Sequence, residues 1–149
     1  MTFEDLKIIF PDATLETWHV HQNGGGWVQN TATVTDSAYV GPDAVVFENA
    51  AVSEDAWVFG HARVFGHAQV YGTAEVFENA RVYGNAWVSG IARVFGHAQV
   101  FGHAQVSGNA RVSENAEVSG NARVSGNASV FGGARVFENA QVSGNEIID

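Results

Sequence analysis

The sequence has no cysteine, so neither a disulfide framework nor a thiolate metal site is open to it. Basic residues are scarce: 7 Lys and Arg stand against 16 Asp and Glu. The resulting net charge of -9 weighs against direct binding to the phosphate backbone of nucleic acid or to an anionic membrane surface. No run of about 20 apolar residues is present to span a bilayer. The opening Met-Thr-Phe-Glu-Asp lacks the basic and apolar regions of a signal peptide, so a soluble, cytoplasmic protein is the expectation. Proline occurs only twice and charged residues make up 15% of the chain. What the chain does have is 17 glycines and 46% apolar residues, a composition that is neither ordinary α/β nor disordered.

The apolar residues fall on one period. From Val28 to Ile148 an aliphatic residue recurs every six positions without interruption, and Ala stands two places before it from Ala32 through Ala140. Only Gly26 and Glu146, at the two ends, break the second rule. Ala and Val two apart point to the same side of a short strand, and the residue between them points to the other. That middle place holds Arg63, Gln69, Glu75, Arg81 and Gln99, as a solvent-facing site should. A repeat this short buries its apolar side only against its neighbours, which implies a solenoid with its function on the outside.

The residue after each Val is Ser or aromatic, and a turn pair follows, most often Gly-Asn, Gly-His or Glu-Asn, with Pro42-Asp43 once. Pro and Glu in the first turn place suggest negative φ there, and Asn, Asp, His and Gly in the second suit a left-handed backbone, together a type II-like turn. On that reading Thr73 and Ile91 are misfits, because β-branched residues disfavour positive φ. The aromatics show how many hexads complete a circuit. If three do, Phe47, Phe65, Tyr83 and Phe101 form one column, with Phe137 further along it, and Phe59, Phe77 and Phe95 form a second, with Phe131 beyond. Nine of the ten aromatics in this position then fall in two columns. The expected form is an all-β triangular prism of single strands with 18 residues per turn and about seven turns, ~33 Å long at ~4.8 Å per rung.

Residues 1–26 stand apart from the repeat of residues 27–149. Thr2 and Asp5 resemble a capping box, and Phe3, Leu6, Ile9 and Phe10 lie on one helical face before Pro11, so a short capping helix over the first rung is expected. In the connector, His19 and His21 are two apart and could begin a zinc site, but no third ligand stands nearby, and no metal or other cofactor is expected.

The hexad Asn-Ala-Arg-Val-Ser-Gly at 121–126 resembles the hexapeptide repeat of left-handed parallel β-helix proteins. That group includes trimeric acyltransferases of the UDP-N-acetylglucosamine acyltransferase type and a bacterial and phage group described as transferases. The left hand of the helix is what this resemblance implies. It also implies a possible enzyme, with a histidine acting as general base at a seam between subunits, which makes His61, His67, His97 and His103 the catalytic candidates. Two features set this chain apart from the enzymes it resembles. Those enzymes carry Gly, Ala, Glu or Asp directly after the aliphatic residue, where this chain has Phe, Tyr or Ser. They also use inserted loops to wall a cleft, and no loop interrupts residues 28–148.

The two aromatic columns border one face, whose outward residues are Trp27, Val45, Arg63, Arg81, Gln99, Glu117 and Arg135. A long aromatic stripe beside arginines marks a contact surface. The expectation is therefore a non-catalytic structural or interaction module, a phage or bacterial assembly part, that forms a homo-oligomer, dimer or trimer, through this face. Arg63, Arg81 and Arg135 would pair acidic turn residues of a neighbour. The alternatives are an acyltransferase-like enzyme working at subunit seams, and a binder of a small anionic ligand such as a nucleotide, or an acidic nucleic-acid mimic.

Overall fold

The computed structural model describes all 149 residues, in one helix, α1 (Phe3–Ile9), and 22 strands. The first two strands, β1 (Trp18–Val20) and β2 (Trp27–Gln29), form the one antiparallel pair. After them come twenty two-residue strands, β3 (Thr33–Val34) to β22 (Ile147–Ile148), each covering an outward residue and the aliphatic residue that follows it. Every strand from β2 onward pairs in parallel with the strand three places on, so that Val64, Val82 and Val100 stand in register, each 18 residues from the next. Three sheets result, of eight, seven and seven strands. They form the three faces of a prism of about seven turns.

Two-residue strands persist because the ladder continues around the corners. Arg81 N donates to Ala98 O at 3.0 Å, Tyr83 N to Val100 O at 2.9 Å and Asn85 N to Gly102 O at 2.7 Å, before Ala86 N closes the turn on Tyr83 O at 3.3 Å. Nearly every backbone polar group of a rung is thus satisfied by the rung beside it, as burial of the chain requires. Inside, every inward-facing Ala and Val of the repeat from Ala38 to Val130 is fully buried. Each buried Val contributes on the order of 1.5 kcal/mol. At the C-terminal end Ala140 is exposed and Ile148 half-buried, since within residues 1–149 no rung lies over them.

The turns differ from the sequence expectation. From Glu48 onward it is the first turn residue that has positive φ: 58° at Glu48, 63° at Gly60 and 67° at Gly102. The second residue, where Asn and His stand, does not, and this φ pattern is type II′-like, not type II. Thr73 and Ile91 are therefore unstrained, and the strained residues are the glutamates Glu48, Glu54, Glu78, Glu114 and Glu138. Two of these are held by bonds to the next rung: Glu54 accepts from Gly72 N at 2.9 Å and Glu78 from Gly96 N at 2.8 Å. Negative φ in the first turn place is confined to the first circuit, at Asn30, Asp36 and Pro42. Pro42 therefore described only its own circuit.

The helix also lies elsewhere than expected. It does not close the first rung but packs against the outside of the first face. Leu6, fully buried, joins Trp18, Trp27, Val45 and Phe47 in a second small core. The Thr2 and Asp5 capping box is formed, Trp27 Nε1 donates to Met1 O at 3.0 Å, and the Met1 ammonium pairs with Asp43 at 2.9 Å. What closes the rung is the connector. Gly26 N donates to Val40 O at 2.9 Å, Val40 N donates to Asn23 O at 3.0 Å, and His21 Nε2 donates to Ala38 O at 2.8 Å. Glycine is required there, because a Cβ at Gly26 would stand 2.3 Å from Gly41 O.

Candidate functional site

The aromatic columns stack ring on ring. Phe47, Phe65, Tyr83 and Phe101 follow one another at 4.7, 4.8 and 5.0 Å with planes within 7° of parallel, and Phe59, Phe77 and Phe95 at 4.9 Å. Stacking hides most of each ring, so Phe59, Phe65, Phe77, Tyr83, Phe95 and Phe101 are half-buried and Phe47 is buried. The stripe along these edges is thus one of rings that partly cover one another. Only Phe137, near the last rung, is well exposed.

Between the columns, α1 covers Trp27 and Val45, and the first face is open from Arg63 onward. Arg63 and Arg81 are register neighbours, and neither has a carboxylate partner within the chain. Burial, with Arg81 adding like-charge repulsion, lowers the Arg63 pKa from its usual value. Arg135 pairs instead with Glu117 of its own chain at 3.5 Å. Tyr83 Oη donates to Gln99 Oε1 at 2.9 Å, and burial, then the Glu117 charge, raises its pKa.

The histidines are not brought together. His61 and His97 are exposed at the corner before the first face, with Asn79 between them; His67 and His103 are exposed at the corner after it, with Asn85 between them. Members of each pair are two rungs apart, ~9.6 Å, which no single metal spans. No group of three His, Asp or Glu side chains could hold a metal ion. In the connector His19 Nδ1 donates to Asn30 Oδ1 at 2.6 Å, whereas His21 is buried against Ala38 O, so the two imidazoles serve different partners.

Two residues that the sequence analysis passed over are the most exposed large aromatics on the faces. Trp57, on the third face, is braced by Tyr39 at 4.9 Å and by the edge of Phe59. Trp87, on the second face, is braced edge-on by Tyr71 at 6.4 Å. Around Trp87 runs an open groove of about 560 Å³, lined by Asn49, Ala51, His67, Gln69, Asn85, His103 and Gln105. The signal lay in the middle place of the hexad, where tryptophan interrupts Gln, Glu and Arg. No helix is long and apolar enough to cross a membrane.

No curated protein and no solved structure matches this chain. Residues 68–90, 104–120 and 116–132 match the family described as YdcK Beta solenoid repeat, and with the architecture above this makes the chain a β-solenoid repeat protein.

Proposed function

We propose that this β-solenoid is a non-catalytic structural module that self-associates through the open part of its first face. The observation that carries the reading is the column Arg81, Gln99, Glu117, whose charges are related by reversal about Gln99. A two-fold axis along the Gln99 strand would run two rods antiparallel, setting Arg81 of each copy against Glu117 of the other. Phe95 and Phe101, which flank Gln99, would each meet their own counterpart. The rungs from Arg63 to Arg135 would overlap, with Arg63 of each copy facing an Arg135 whose charge its own Glu117 offsets, and α1 would be left outside the contact. The smooth exterior and the dispersed histidines support contact over catalysis, because nothing encloses a substrate.

Sedimentation of the wild type should give a dimer. Arg81→Glu and Glu117→Arg should each dissociate it, since a like-charge juxtaposition across an interface costs several kcal/mol. The double exchange should restore it. A wild type that sediments as a monomer, or an exchange that restores nothing, counts against the reading. A second reading, a small anionic ligand held by Arg63 and Arg81, is favoured by their lack of a carboxylate partner. It predicts a nucleotide-dependent rise in melting temperature that Arg81→Ala abolishes.

A further inference from the structure

We propose that the second face carries a binding site for a neutral oligosaccharide, laid over the indole of Trp87. Trp87 is 42% exposed, and the edge contact with Tyr71 holds its indole in place. Gln69 and Gln105 occupy the rungs on either side of it, in register. His67, Asn85 and His103 line the corner beside them, and all three are exposed. None of these five side chains hydrogen-bonds within the chain, and none of the residues lining the groove is a carboxylate, lysine or arginine. In a chain of net charge -9 that is an uncharged, donor- and acceptor-rich surface around one flat apolar ring.

The backbone does not dictate these identities. At the second turn place φ is not positive, so Asn and His are there without a conformational need. At the corner between the second and third faces, Asn109 and Asn127 satisfy one another along the rod at 3.1 Å. Beside Trp87, alternation of His with Asn makes no such ladder, and the polar atoms face outward.

This chemistry selects its ligand. The C–H face of a sugar ring stacks on an indole, and its hydroxyls both donate to and accept from amides and imidazoles. A nucleic acid or other polyanion would find no cation in the groove, and an apolar peptide would find only Ala51 and Trp87. The groove is open and continuous across rungs ~4.8 Å apart, which suits an extended chain of repeating units and not an enclosed small molecule.

Isothermal titration of the full chain with neutral oligosaccharides of glucose and of N-acetylglucosamine, at millimolar concentration, tests the proposal. Binding of at least one of them is expected, weakened about tenfold or more by Trp87→Ala and retained in large part by Trp87→Tyr. Trp57→Ala, on the third face, should bind as wild type does. Thermal melts show which variants are folded, and Gln105→Ala, whose side chain makes no contact that the fold needs, should also weaken binding. Absence of binding by both sugars, or binding that survives Trp87→Ala, would overturn the proposal.

Discussion

Val100, in the middle of the rod, and Trp27, at its N-terminal end, are both apolar and both buried, but by different means. Val100 is covered by copies of its own environment, with Val82 on one side and Val118 on the other. Trp27 points outward from the same sheet and is buried only because Leu6 and Phe3 of α1, with Trp18, lie over it. The rod is held by interactions that recur at every rung, whereas the cap depends on single contacts that occur once. Damage should therefore spread in the first region and stay local in the second.

The largest expected effect is in the rod. Val100→Asp places a carboxylate where no polar partner exists, at a cost of more than about 4 kcal/mol, and should abolish soluble folding. A thermal melt like that of the wild type would contradict the inward assignment. Trp27→Ala should cost about 3 to 5 kcal/mol within the cap. Hydrogen exchange should then show α1 unprotected while Val64 to Val124 stay protected, and simultaneous loss of both would mean that the two regions fold as one.

A smaller effect is expected in acid. The pKa of Asp43 is lowered by its hydrogen bond from the Met1 ammonium and by that charge, and the pKa of Asp5 by its bond from the Thr2 backbone. A depressed carboxylate stabilises above its unfolded pKa, close to the ordinary 3.8, and loses that contribution as pH falls through the lower folded value. The α1 contact should loosen in that range before the rod does, followed through the Trp27 indole N–H resonance, and Asp43→Asn should remove part of the dependence. The smallest effect separates the two turn geometries. Ile91→Asn should change stability by less than about 0.5 kcal/mol, since Ile91 does not have positive φ. A clear stabilisation would favour the left-handed backbone first expected there.

The same division decides what could be read from the sequence. The interior was legible because one geometric rule acts repeatedly: Ala and Val inward, aromatic stacking on aromatic at an interval of 18 residues. The turn was misread because Pro42 and the glutamates suggested negative φ, while the glutamates are in fact held in a left-handed backbone that Gly occupies at the other corners. The amphipathic pattern of residues 3–10 indicated an apolar face but not what that face covers. The evidence for its resting place was Trp27 and Val45, two apolar residues in succession on the first face, whose later outward positions carry Arg, Gln or Glu. That rings 18 residues apart cover part of one another followed from the columns; only the extent, half of each ring or more, needed the structure. Trp57 and Trp87 are visible in the sequence as exceptions at the outward place, but the open groove around Trp87 depends on which side chains the three-sided circuit sets beside it.

The parallel register carries a consequence for how such a rod can lengthen or shorten. Duplicating or deleting a whole circuit returns every later residue to the column it left, so Phe remains over Phe and the grooves keep their partners. Gain or loss of a single hexad would preserve the Ala and Val interior while rotating everything downstream by one face. A change between Phe65 and Tyr83 would part those two rings, and one between Glu117 and Arg135 would part that ion pair. Such a chain would still fold, but its binding surfaces would be scrambled, so the unit of inheritance for this exterior is the full circuit and not the hexad.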